Sequence, residues 1–163
     1  MNKLLLYFTV IAILSCYIKV SYAQEDTMKS LPAVVIHSRS NVEKAVTSAF
    51  DKRFRDAMDA QWYKMNKNYL VTFIATDMKN SALFKQNGRL IYHVSYGTEQ
   101  HLPVSVKKQV QDSYRDYNVT RAVNVKMNDR DVWMVNLEGT KRYLIVAVED
   151  GELIEMETVK KAS

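Results

Sequence analysis

The residues predict an α+β chain of two tandem helix-plus-four-strand repeats, whose strands join into one curved eight-stranded antiparallel sheet with two helices on one face. Three observations carry this. Apolar residues at helical spacing occur twice, at Val42, Val46, Ala49, Phe50 and Phe54, and again at Val106, Val110 and Tyr114. Each stripe is followed by runs of period two, rich in β-branched and aromatic residues. Short strings also recur: Tyr114-Arg115-Asp116 lies 60 residues after Phe54-Arg55-Asp56, Lys126-Met127-Asn128 lies 62 after Lys64-Met65-Asn66, and Asp150-Gly151-Glu152-Leu153-Ile154 lies 63 after Asn87-Gly88-Arg89-Leu90-Ile91. Near-constant offsets mark a duplicated unit. A four-stranded sheet under one helix leaves its edges open, so fusing two units into one sheet is the simplest closure.

Residues 1–23 read as a cleavable signal peptide: Lys3, the apolar run Leu4 to Leu14, and Ser21-Tyr22-Ala23 before Gln24. The run is shorter than the roughly 20 residues a membrane span needs, and Lys19 interrupts its continuation. The alternative is a lipoprotein anchored through Cys16, because Ile13-Leu14-Ser15-Cys16 resembles a lipobox. Cleavage after Ala23 leaves a mature chain without cysteine, which excludes disulfides, thiolate catalysis and cysteine-metal sites. Removing Lys3 and Lys19 from the 23 basic residues leaves 21 against 18 acidic ones. That mild, interspersed excess does not make a nucleic-acid groove.

Residues 24–40 are expected to form a partly flexible leader, in which 31–36 is an extended edge segment or a strand. Repeat 1 covers 41–100, with a helix over 41–56 capped by Asn41 and strands within 59–97. There Tyr69, Val71 and Phe73 alternate with Leu70, Thr72 and Ile74, and Asn87-Gly88 offers a two-residue hairpin turn. Repeat 2 covers 101–163, with a helix over 103–116 and strands within 119–159.

Catalytic chemistry is sparse. The histidines are His37, His93 and His101, none at ligand spacing, so neither a catalytic site nor a metal or other cofactor is expected. Gly88, Gly97, Gly139 and Gly151 stand singly near turns rather than in a phosphate-binding loop. Aromatics are more informative, with Trp62, Tyr63, Tyr69, Tyr92, Tyr96, Trp133 and Tyr143 all in strands. Tyr69, Phe73 and Trp133 suit a core. Yet the strands are apolar in both phases, so the face without helices is also apolar and suits contact with a partner. Tyr63, His93, Tyr96 and Met134 are the candidate partner-binding residues. The alternative is a small-ligand or metal-sensing protein, with Tyr63, His93 and Tyr96 in one pocket.

The strings Trp62-Tyr63-Lys64, Tyr69-Leu70-Val71-Thr72-Phe73 and Asn87-Gly88-Arg89-Leu90-Ile91, with Leu102-Pro103 and Val132-Trp133-Met134-Val135-Asn136-Leu137 in the second half, resemble the PepSY-like family of β-lactamase-inhibitor-like proteins, common among secreted proteins of Bacteroidetes. The resemblance covers about residues 41–159. It implies two tandem repeats whose sheet offers one face to a partner, as inhibitor proteins of that fold do. The function expected from it is non-catalytic binding of an envelope protein or peptide, in the periplasm or outside the cell, with no transmembrane segment after processing.

Overall fold

A 3-10 turn, a ten-residue helix and four strands occur in that order twice in the computed structural model, which describes residues 34–36 and 39–162. A short strand β1 (Val34–Ile36) precedes them. The first set is the turn Arg39–Asn41, α1 (Lys44–Arg53), β2 (Met58–Met65), β3 (Asn68–Ala75), β4 (Met78–Lys85) and β5 (Leu90–Gly97). The second is the turn Glu99–His101, α2 (Val104–Ser113), β6 (Asn118–Met127), β7 (Arg130–Glu138), β8 (Arg142–Glu149) and β9 (Glu152–Lys160). All strands pair antiparallel with their sequence neighbours in a single open sheet, ordered β1 to β9. The eight expected strands are therefore present, with β1 added at the edge against β2. The signal peptide, Cys16 and His37 lie outside the described residues.

The recurring Phe/Tyr-Arg-Asp string is the helix exit. The Phe54 N–H still bonds the Phe50 carbonyl at 2.8 Å, and the Ala57 N–H then bonds Phe54 at 3.2 Å, turning the chain into β2. Tyr114 and Tyr117 repeat this at 2.9 and 3.1 Å, from Val110 and Tyr114. Both helices are shorter than the patterns implied because their ends are spent on these turns. Asn41 is not the cap: it closes the 3-10 turn, and Glu43 takes the cap position without a side-chain hydrogen bond. Val42 sits between them, buried in the core, and that burial fixes how the chain enters the helix.

The repeated Lys-Met-Asn string is a hairpin turn, with Asn66 and Asn128 both at φ +56°. Asparagine tolerates this left-handed backbone better than most residues. The Asn87-Gly88 loop differs from expectation. Lys85 and Arg89 pair around a three-residue loop, and the Gly88 N–H bonds the Lys85 carbonyl at 2.9 Å. Gly88, at φ +81°, takes the left-handed position that such a loop needs. It also lies under α1: a Cβ there would come within 2.5 Å of the Ala45 carbonyl oxygen. In the second copy Gly151 has open space, and its carbonyl is held instead by Gln109 Nε2 at 2.7 Å.

Each helix builds its own core on the same side of the sheet. Val46 and Phe50 of α1 pack on Trp62, Tyr69, Val71, Phe73, Ala82 and Phe84. Val106 and Val110 of α2 pack on Ala122, Val135, Leu137, Leu144, Val146 and Val148. Tyr69 and Phe73 are thus core residues, and Trp133 lies partly buried against the second core. Phe50 is the hub of the first, with the rings of Phe73 and Trp62 at 5.1 and 5.2 Å in edge-on geometry.

Candidate functional site

The two cores do not merge. Strands β5 and β6 join the repeats, and on their helix side the register sets Ser95 opposite Asn124 and His93 opposite Lys126. Asn80 lies across from Ser95 on β4. These groups form a polar seam in which Asn80, Ser95 and Asn124 are nearly fully buried, yet every one is satisfied. Asn80 donates to the Ala75 and Met78 carbonyls at 3.2 and 2.8 Å, so its Oδ1 is free to accept. Ser95 Oγ donates to that Oδ1 at 2.7 Å, and His93 Nε2 lies 3.0 Å from it. His93 therefore carries its proton on Nε2. Asn124 in turn donates to Asp131 at 2.6 Å, and Lys126 pairs with Asp131 at 2.9 Å.

Burial is the main reason the His93 imidazole is lowered to about 4, with the positive charges of Lys126 and Arg53 adding to it and Asp131 opposing. Burial also disfavours the Asp131 carboxylate, but hydrogen bonds from Asn124 and Lys126 leave it below its ordinary value. The ring of His93 packs on Phe54 and Phe73, at 4.8 and 6.1 Å. It is a neutral structural group beneath α1. Pairing with Ala82 and Lys126 sets it on the helix-covered face, apart from the other partner-binding candidates. His101 is also structural, its Nδ1 accepting the Thr98 N–H at 3.0 Å to close the second 3-10 turn. Among the described residues no group of three or more His, Cys, Asp or Glu is placed to hold a metal.

Tyr63, Tyr96 and Met134 lie on the other face, which neither helix covers. Direct cross-strand partners share a face, so the register gives its composition. One row runs Tyr63, Leu70, Leu83, Tyr92, Met127. The next runs Thr72, Ser81, Val94, Val125, Val132. The third runs Met58, Ile74, Lys79, Tyr96, Val123, Met134, Ala147, Ile154, crossing eight strands. At about 4.8 Å per strand, that row is roughly 34 Å long. Burial raises the Tyr92 phenol, Tyr96 adding to it, so it stays uncharged at neutral pH.

Among the described residues nine large apolar side chains are conspicuously exposed, and the register puts seven of them here: Met58, Ile74, Tyr96, Met127, Tyr143, Ile154 and Val159. Met156, 60% exposed, stands at the bulge of β9 beside them, and only Val104 lies elsewhere, on α2. The sequence signal for this face was apolarity in both strand phases. Single-residue reasoning found Tyr63, Tyr96 and Met134 but missed Tyr92, Val123 and Ile154, which only the register aligns with them. Two recesses indent the face, one of about 800 Å³ lined by Asp59, Tyr63, Thr72, Ile74, Asp77 and Lys79, the other of about 360 Å³ around Tyr96.

No helix among the described residues is long and apolar enough to cross a membrane. No family model matches the chain, and no curated protein does. Solved structures share its fold. A BLIP-like protein from Bacteroides fragilis matches with a TM-score of 0.59 and 17% identity, over 75% of this chain and 89% of that one. A DUF2874 family protein from Bacteroides ovatus matches with a TM-score of 0.55 and 14% identity, over 73% and 87%. A protein proposed to be periplasmic, from Bacteroides eggerthii, matches with a TM-score of 0.54 and 13% identity, over 73% and 88%. The chain is thus similar to the BLIP-like fold found in Bacteroides proteins, while the PepSY-like name rests on the sequence resemblance alone.

Proposed function

We propose that the chain is a non-catalytic binding protein of the bacterial envelope, periplasmic or secreted, that presents its uncovered sheet face to a protein partner in the manner of an inhibitor. The observation that carries this is the gathering of exposed Tyr, Met, Ile and Val side chains on that one face. One row of about 34 Å and two of about 19 Å, spaced about 7 Å apart, make a footprint of roughly 500 Å². A standard protein interface takes about 800 Å² from each partner. A small ligand would leave most of that apolar surface wet. The sensing alternative also loses its imidazole, since His93 faces the helices. Export is supported by residues 1–23 and by the fold shared with a protein proposed to be periplasmic.

The test places a photo-crosslinking residue at Tyr96 or Met134, with Gln111 on α2 as control, and reconstitutes binding with the purified partner so identified. Val123→Lys with Met134→Lys is expected to abolish binding while the melting temperature shows a folded chain. Crosslinks formed only from Gln111, or binding untouched by the double substitution, would refute the reading.

A further inference from the structure

Two cations stand together on the uncovered face, around one recess. From β3 to β8, the register places on this face only two charged side chains that are not the first or last residue of a strand, Lys79 on β4 and Arg121 on β6. Both flank Tyr96: Lys79 is its direct partner on β4, and Arg121 lies two residues along β6 from its other partner, Val123. Together they line the recess of about 360 Å³ with Thr72, Ser81 and Tyr96, and no carboxylate lines it.

Among the described residues, neither cation is in an ion pair, and the hydroxyls of Thr72, Ser81 and Tyr96 make no hydrogen bond within the chain. Lys85, Arg142 and Lys160 of the sheet are also outside any ion pair, but they stand at strand ends, whereas Arg130 pairs with Glu149 and Lys126 with Asp131. Two cations and three hydroxyls around one recess in an apolar field form a set of donors suited to an anion. An apolar partner that covered both cations without bringing an anion would leave them desolvated and unpaired, so the charge complement comes best from the partner itself.

Resting on the reading that a protein docks on this face, we infer that the Lys79–Tyr96–Arg121 recess takes a carboxylate side chain from the partner. The occupant is an extended, apolar segment carrying one Asp or Glu. Its apolar residues lie on Val123 and Met134, and its carboxylate accepts from Lys79 and Arg121. Arg121 can offer two parallel N–H groups to such an acceptor.

Capped peptides alternating valine and threonine, with Glu, Gln or Lys at the centre, are titrated into isotopically labelled mature protein and followed by amide shifts. The Glu peptide is expected to bind about 10-fold tighter than the Gln peptide, as one charge-assisted contact warrants, with the Lys peptide weakest. Lys79→Gln with Arg121→Gln should bring the Glu-to-Gln ratio to about one and leave the Gln peptide unchanged. Equal binding of Glu and Gln peptides, with shifts at Tyr63, Val123 and Met134, overturns the carboxylate anchor and keeps the docking reading. A Glu preference that survives the double substitution overturns the anchor too. Binding of no peptide, or self-association of the chain through this face, overturns both.

Discussion

Phe50→Ala tests whether the two repeats behave as one folding unit. Phe50 is 3% exposed and its ring meets four others, those of Phe54, Trp62, Phe73 and Phe84, at 5.1 to 6.5 Å. Truncating a buried Phe costs about 3–5 kcal/mol, and the loss of edge-on partners puts this site near the upper end. For a sheet of this size each kcal/mol lowers the melting temperature by about 3–5 °C, so a drop of about 12–20 °C is expected. Each core has its own tryptophan, Trp62 in the first and Trp133 against the second. Thermal unfolding is therefore followed by fluorescence in Trp62→Phe and Trp133→Phe backgrounds, each with and without Phe50→Ala. Strands β5 and β6 pair over six residues, so the seam couples the halves and both reporters should shift together. A Trp133 signal that melts at its original temperature while the Trp62 signal falls would show that the polar seam separates two independent units, and the argument for a single sheet would fail.

Three further outcomes are expected. Val110→Ala, at the position matching Phe50, removes two methyl groups and should cost about 2 kcal/mol, less than half as much, by urea denaturation. Gly88→Ala should destabilise well beyond Gly151→Ala, because both leave a left-handed backbone costing about 1–2 kcal/mol but only Gly88 meets a backbone atom of α1. The third concerns His93, whose folded value of about 4 lies below its ordinary 6.5. The unfolded chain therefore takes up the proton first, and stability present at pH 7 declines as pH falls from about 6.5 to about 4. The full linkage would be about 3 kcal/mol, and partial solvation of the ring reduces it to about 1–2 kcal/mol. His93→Gln should flatten the pH dependence in that window, and an unchanged slope in denaturation at pH 6.5, 5.5 and 4.5 would remove His93 as its source.

Much of the architecture was legible in the chain because it rests on local periodicity. Val46 and Phe50, one helical turn apart, could only serve one face of a helix, and Tyr69, Val71 and Phe73 could only alternate in a strand. The recurring strings marked equivalent turns, and the helix exits at Phe54 and Tyr114 show why those letters recur. Less legible were features set by neighbours distant in sequence. Asn41 looked like a cap, but burial of Val42 decided how the chain enters α1. Asn87-Gly88 looked like a two-residue turn, but the register shift between β4 and β5 and the approach of α1 set a longer loop.

For the candidate site, the sequence by itself determined that the strands were apolar in both phases. Only the tertiary structure decided which phase the helices cover. His93 and Tyr96 are three residues apart in one strand, so they must point to opposite sides of the sheet, and no local pattern says which side a helix will take. The helices cover the face that carries Phe73 and His93 and leave the face of Tyr96 and Met134 uncovered, because Phe50 and Val110 pack on the first of these.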